Sequence, residues 1–110
     1  MNALRTSFAA VLGVCSFAAL AQMHEVPGEL WDRPRTATVI VSDESVKRAV
    51  AALLDKPDAQ LVIHHAGGQE PLVQAEELKS WLGALAIDTR RIALRADLAA
   101  GSPIRIEVVP

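Results

Sequence analysis

Between residues 43 and 66 the apolar side chains change their spacing once, and that change limits the folds open to the chain more than any other feature. In "DESVKRAVAALLDK" the residues Val46, Ala49, Val50, Leu53 and Leu54 fall at i, i+3, i+4, i+7 and i+8, along one side of an α-helix. Pro57 stops such a helix, because it lacks a backbone N–H and its ring clashes with the turn before it. Directly afterwards "AQLVIHHA", residues 59 to 66, is a short apolar run with strand character. A helix with one apolar stripe needs a surface to cover, and the strand beside it supplies one. The pair predicts a layered fold, helix on sheet.

The remaining elements follow from the same reading. Upstream, "TATVIVS", residues 36 to 42, is rich in β-branched residues and is expected to be the first strand, ending on Ser42 as the cap of the helix. Asp43 and Glu44 at the start of that helix and Lys56 at its end complement the helix dipole. Downstream, "GGQEP" reads as a turn, and Pro71 suits the first turn of a second helix. That helix, about 72 to 86, sets Val73 or Ala75, Leu78, Leu82 and Leu85 on one face, with Trp81 at its margin and Glu76, Glu77, Lys79 and Ser80 opposite. In "RRIALRAD", residues 90 to 97, Ile92 and Leu94 alternate with Arg91, Ala93 and Arg95, and "AAGSP" turns the chain into "IRIEVV". There Ile104, Ile106 and Val108 share one face and Arg105 and Glu107 the other. The order β-α-β-α-β-β predicts an α/β (α+β) two-layer sandwich, with two helices on one face of a mixed sheet. Residues 22 to 35 hold two prolines and a glycine without periodicity. They are expected to be an extended N-terminal segment ahead of a domain spanning 36 to 110. Trp31 is expected to tuck against that domain, the alternative being that Leu30 and Trp31 dock on a partner.

The first 21 residues read differently. One positive charge, Arg5, precedes an apolar run from about Phe8 to Leu20 that closes on Ala19-Leu20-Ala21. This is the pattern of a secretory signal peptide cleaved after Ala21, with export to the periplasm. The run falls short of the ~20 residues that a spanning helix needs, so no transmembrane span is expected after cleavage. "LGVC" resembles the box before a lipid-modified cysteine, but Val14 stands where Gly, Ala or Ser is usual, which argues against a lipoprotein at Cys15. Removing 21 of 110 residues leaves 89, with no cysteine and hence no disulfide. Those 89 keep ten of the eleven Lys and Arg and all thirteen Asp and Glu, a formal charge of −3. That balance gives no footing for nucleic-acid binding.

Candidate chemistry is sparse. His64 and His65 are adjacent on a predicted strand, so their side chains leave opposite faces and cannot share one ion without a bulge. "AGGQEP" lacks the length, the Lys and the Ser or Thr of a nucleotide-binding loop. The serines Ser42, Ser45, Ser80 and Ser102 read as cap, helix surface and turn, and no G-x-S-x-G frame occurs. Asp43-Glu44 and Glu76-Glu77 read as solvated helix residues. No acid and base are placed to converge, so no enzyme and no cofactor are expected. Cleavage after Ala21 would expose Gln22-Met23-His24. A free amine with histidine third can wrap Cu(II) or Ni(II) in a square plane through two backbone amides, which makes His24 a weak metal candidate.

The stretches "SVKRAVAALLDKPDAQLVIHHAGG" and "AEELKSWLGALAIDTRRIALRADLAAGSPIRIEVV" resemble the periplasmic domain found at the C-terminus of outer-membrane protein A and in related peptidoglycan-associated proteins. In that family a strand enters a ligand loop, and the next helix ends in a "Y-L-x-x-x-G-I" phrase. "WLGALAI" is similar to this phrase, with Ala86 where glycine is usual and Ile87 at the Ile position. The family grips the peptidoglycan stem peptide with an Asp after a Thr in the loop and an Arg in the following helix. Here Ala66 and Gly67 stand at the Thr-Asp pair and Gln74 at the Arg, and a neutral Gln cannot form a bidentate ionic pair. The resemblance implies a non-catalytic periplasmic domain, an accessory or adaptor in the cell envelope whose partner is an envelope protein. The alternative it implies is binding of peptidoglycan or another cell-wall polymer. The candidate surface is His65, Gln69, Glu70 and Gln74, with Leu30 and Trp31.

Overall fold

The helical stripe and the strand behind it form where their spacing places them, and the rest of the fold assembles around that pair. The computed structural model describes residues 22–110; the predicted signal peptide, its cleavage site and Cys15 lie outside the described residues. In chain order the elements are β1 (Gln22–Glu25), a 3-10 turn (Gly28–Asp32), α1 (Ala37–Ser42), α2 (Glu44–Asp55), β2 (Gln60–Ala66), α3 (Gln69–Ala84), a 3-10 turn (Thr89–Arg91), β3 (Ile92–Leu98) and β4 (Arg105–Val109). The Asp43 carboxylate accepts the Val46 N–H at 3.1 Å, satisfying one of the amides that a helix start leaves free. From α2, Val46, Ala49 and Leu53 are buried, whereas Leu54 at the edge of the stripe is 64% exposed.

The four strands form one sheet in the order β1-β4-β2-β3. β4 runs antiparallel to both β1 and β2, and β2 and β3 are parallel. Parallel neighbours need a crossover, and α3 provides it. Leu61 and Ile63 of β2 and Ile106 and Val108 of β4 share one core with Ala49 and Leu53 of α2 and Leu78 and Leu82 of α3. Both long helices therefore lie on the same face, and the two-layer α/β sandwich is the architecture observed. Among the described residues, no helix is long and apolar enough to cross a membrane.

Two local expectations are overturned, and they are linked. Residues 36 to 42 are not the first strand: Ala37–Ser42 is helical, with the Thr36 hydroxyl accepting the Val39 N–H at 3.2 Å. The cap of α2 is Asp43 and not Ser42. β-Branched content is a weak preference that capping and burial override, and the helical turn here buries Ile40 completely. The strand position beside β4 belongs instead to residues 22 to 25, anchored by the Val26 N–H on the Ile104 carbonyl at 2.8 Å. The segment 22 to 35 is therefore part of the domain and not a lead-in to it. Leu30 sits fully buried in the core, and the element order is β-α-α-β-α-β-β.

The segment is also latched from outside. The Arg35 guanidinium lies 5.6 Å from the centre of the Trp31 ring and donates two hydrogen bonds to Glu77 on α3, at 2.6 and 3.0 Å. Glu77 also accepts the Trp81 indole N–H at 3.2 Å. Hydrogen bonds from Arg35 outweigh burial and hold the Glu77 carboxyl below its ordinary value. The Ser45 hydroxyl, read from sequence as helix surface, donates to the Glu25 carbonyl and ties α2 to β1.

Candidate functional site

The sheet face turned away from the helices carries the main cluster of titratable groups. Strand alternation sends Leu61, Ile63 and His65 toward the helices, leaving Val62, His64 and Ala66 on the far side. His64 pairs with Arg105 on β4 and with Arg95 on β3, and Arg105 pairs in turn with Glu25 on β1. One rung crossing all four strands is thus Glu25, Arg105, His64, Arg95. Three potential cations stand side by side on it, an arrangement that is unfavourable unless neutralised.

Two carboxylates neutralise it. The register of β2 against β3 shifts between His64 and Ala66, so that Arg95 pairs with His64 and Leu98 with Ala66. β3 therefore holds one extra residue in this stretch, a bulge that re-aims a side chain. Asp97 is in it, with both carboxylate oxygens against His64 Nδ1 at 2.8 and 2.9 Å. From β4, Glu107 places Oε1 2.8 Å from His64 Nε2. A neutral imidazole has one N–H to donate, and both ring nitrogens here face carboxylate oxygen. The cluster therefore favours the imidazolium. Burial opposes that charge, but hydrogen bonds to Asp97 and Glu107 outweigh it and raise the pKa of His64 above its ordinary 6.5. On the β1 side, Glu25 lies 3.9 Å from Arg105 Nε.

With both nitrogens engaged, the ring has no lone pair free to take a substrate proton, so the cluster is not arranged as a general base. The carboxylates sit on opposite edges of the ring and cannot join it around one ion. Among the described residues, no group of three or more His, Cys, Asp or Glu is placed to hold a metal.

The residues singled out from sequence are dispersed. His65 is buried at 4% exposure on the helix side, its Nδ1–H donating to the Ala66 carbonyl at 2.8 Å, so it presents nothing to a ligand. Gln69 and Glu70 are exposed in the first turn of α3, and Gln74 is half-buried one turn later. The helix starts on Gly68 at φ 106, in the region that favours glycine, with no side-chain cap. Leu30 is a core residue and cannot serve as a docking side chain, while Trp31 is half-buried beneath Arg35. His24 lies in β1 opposite Ile106, with Nε2 buried and without a hydrogen-bond partner among the described residues. Gln22, Met23 and His24 are all in register with β4, extended at ~3.3 Å per residue. A chelate wrapped around Cu(II) would require β1 to leave the sheet, so the structure argues against that role.

Comparison with protein-family models, with curated proteins and with solved structures finds no match.

The sequence reading placed the two histidines on opposite faces and missed the partners of His64. Asp97 and Glu107 are 33 and 43 residues away. Alternation alone put Glu107 on the outer face of β4, but neither the pairing of β2 with β4 nor the bulge that delivers Asp97 leaves a mark in local sequence.

Proposed function

We propose that the chain is a non-catalytic domain of the cell envelope, exported to the periplasm, that acts as an accessory or adaptor by binding. The observation that carries this reading is the saturation of the His64 cluster: each ring nitrogen is spent on another group of the same protein. Such a face suits recognition and not proton transfer. A degenerate relationship to the outer-membrane protein A periplasmic domain is supported by one backbone detail. Ala86, the residue standing where that family has glycine, adopts φ 74, a conformation that glycine takes without strain.

The second reading, cell-wall binding, is favoured by the short exposed turn at Gly67 and Gly68 and the uncapped start of α3, with Gln69, Glu70 and Gln74 around it. Fractionation of cells expressing the full chain, followed by co-sedimentation with purified peptidoglycan at low salt, distinguishes the readings. The adaptor reading expects protein in the periplasmic fraction that stays in the supernatant. Pelleting that is lost on replacing Gln69, Glu70 and Gln74 with Ala would replace it with the cell-wall reading. Retention of an uncleaved chain in the cytosol would overturn both.

A further inference from the structure

The bulge in β3 and the ring of His64 form a mechanical unit. Between the register pairs His64–Arg95 and Ala66–Leu98, β3 carries Ala96 and Asp97 opposite a single residue of β2. The ladder therefore does not fix this stretch, and the Asp97 contact to the ring is what secures it on the open face. On the other side the ring reaches Glu107 of β4. We propose that His64 is a proton-operated strap across the open face, joining the β3 bulge to β4 while the ring carries two N–H groups and releasing the bulge when it carries one.

The order of release follows from exposure. The Asp97 side chain is 48% exposed and that of Glu107 is 22%. A carboxylate already half in water loses a donor at little cost, whereas the more buried one keeps its hydrogen bond. On losing a proton the ring retains Nε2–H for Glu107, and Nδ1 turns a lone pair toward Asp97. The other charged groups facing the ring are Arg95 on β3 and Arg105 on β4, with Glu25 on β1 behind Arg105. Both arginines are cations, so they favour departure of the ring proton. The helices pack on the opposite face. Ala66, in register with Leu98, leads straight into Gly67 and Gly68, so the strap sits beside the turn at the start of α3. The device stands on geometry and holds whichever partner that turn proves to have.

The test reads the ring and the strand separately on the full chain. Imidazole ¹⁵N spectra should show both His64 nitrogens protonated at about pH 6, below the ordinary value from which the ring is raised, and Asp97→Asn and Glu107→Gln should each lower the midpoint by about one pH unit. Amide exchange, corrected for its intrinsic pH dependence, should lose protection at the ladder residues that flank the bulge, His64, Ala66, Arg95 and Leu98, as pH rises through the wild-type midpoint. In His64→Gln the protection should be independent of pH. If that variant does not fold, Asp97→Ala serves, with protection low at every pH. A single protonated nitrogen at about pH 6 overturns the proposal. So does a ring that titrates while protection around it stays constant.

Discussion

Arg91 shows how a residue can be read as polar and still be misplaced: it lies in the 3-10 turn before β3. From sequence it is the polar partner of Ile92 and Leu94 on a strand. In the structure its guanidinium donates to the carbonyls of Leu53, Lys56 and Ala59 at 2.9, 2.8 and 3.1 Å. The first two lie at the end of α2, where a helix leaves carbonyls unbonded and its dipole is negative. Arg91→Ala should cost about 1.5–3 kcal/mol, the range for hydrogen bonds to a charged group, read from the urea midpoint. Arg91→Lys should recover less than half, since an ammonium cannot span three carbonyls as the guanidinium fork does. The neighbouring Arg90 makes the sharper-looking ion pair, 2.8 Å from Asp88, and its hydrogen bonds hold the Asp88 carboxyl down to about 2. Both groups are in solvent, however, so Arg90→Ala should leave the midpoint where it is.

At the scale of elements, α3 ends in a six-residue cap: the Ile87 N–H bonds the Leu82 carbonyl at 3.0 Å and the Ala86 N–H bonds that of Gly83 at 3.1 Å. This is a Schellman closure, with Ile87 and Leu82 both buried beside it. Its left-handed residue is Ala86, at φ 74. Alanine is strained there, so Ala86→Gly should stabilise the protein by about 0.5–1 kcal/mol after the greater freedom of glycine in the unfolded chain is deducted. A thermal melt that moves downward would contradict this. The long helices and the last three strands were legible in the sequence because each carries enough periodic apolar positions to declare its own period. α1 and β1 were not, being six and four residues long. A six-residue segment with four β-branched side chains satisfies a strand pattern equally well, and its helical form depends on the Thr36 cap and the pocket that receives Ile40. β1 is a strand only because β4 offers it an edge. The candidate site was less legible still, because Asp97 reaches His64 through a bulge that depends on the pairing of β2 with β3.

For the whole molecule, two linkages of opposite sign frame the stability. The folded His64 holds its proton more tightly than the ordinary 6.5, so its contribution is complete below about pH 6.5 and is lost as pH rises through the folded value. Glu77, held below its ordinary 4.5 by Arg35, contributes fully above about pH 4.5 and loses that contribution as pH falls through its folded value. Thermal stability should therefore be greatest between about pH 4.5 and 6.5 and decline on both sides. His64→Gln should flatten the alkaline limb alone, and Glu77→Gln the acidic limb alone. A wild-type maximum above pH 8 would be incompatible with this pairing. The bulge beside His64 has one more consequence, for how the protein behaves when crowded. β3 is the outermost strand of an open sheet, and a straight outer strand is a template on which another chain can polymerise. Here its ladder is broken by an extra residue and flanked by Arg95 and Asp97, while the opposite margin, β1, is only four residues long. The same irregularity that delivers a carboxylate to the ring thus leaves the sheet without a straight margin for fibril growth.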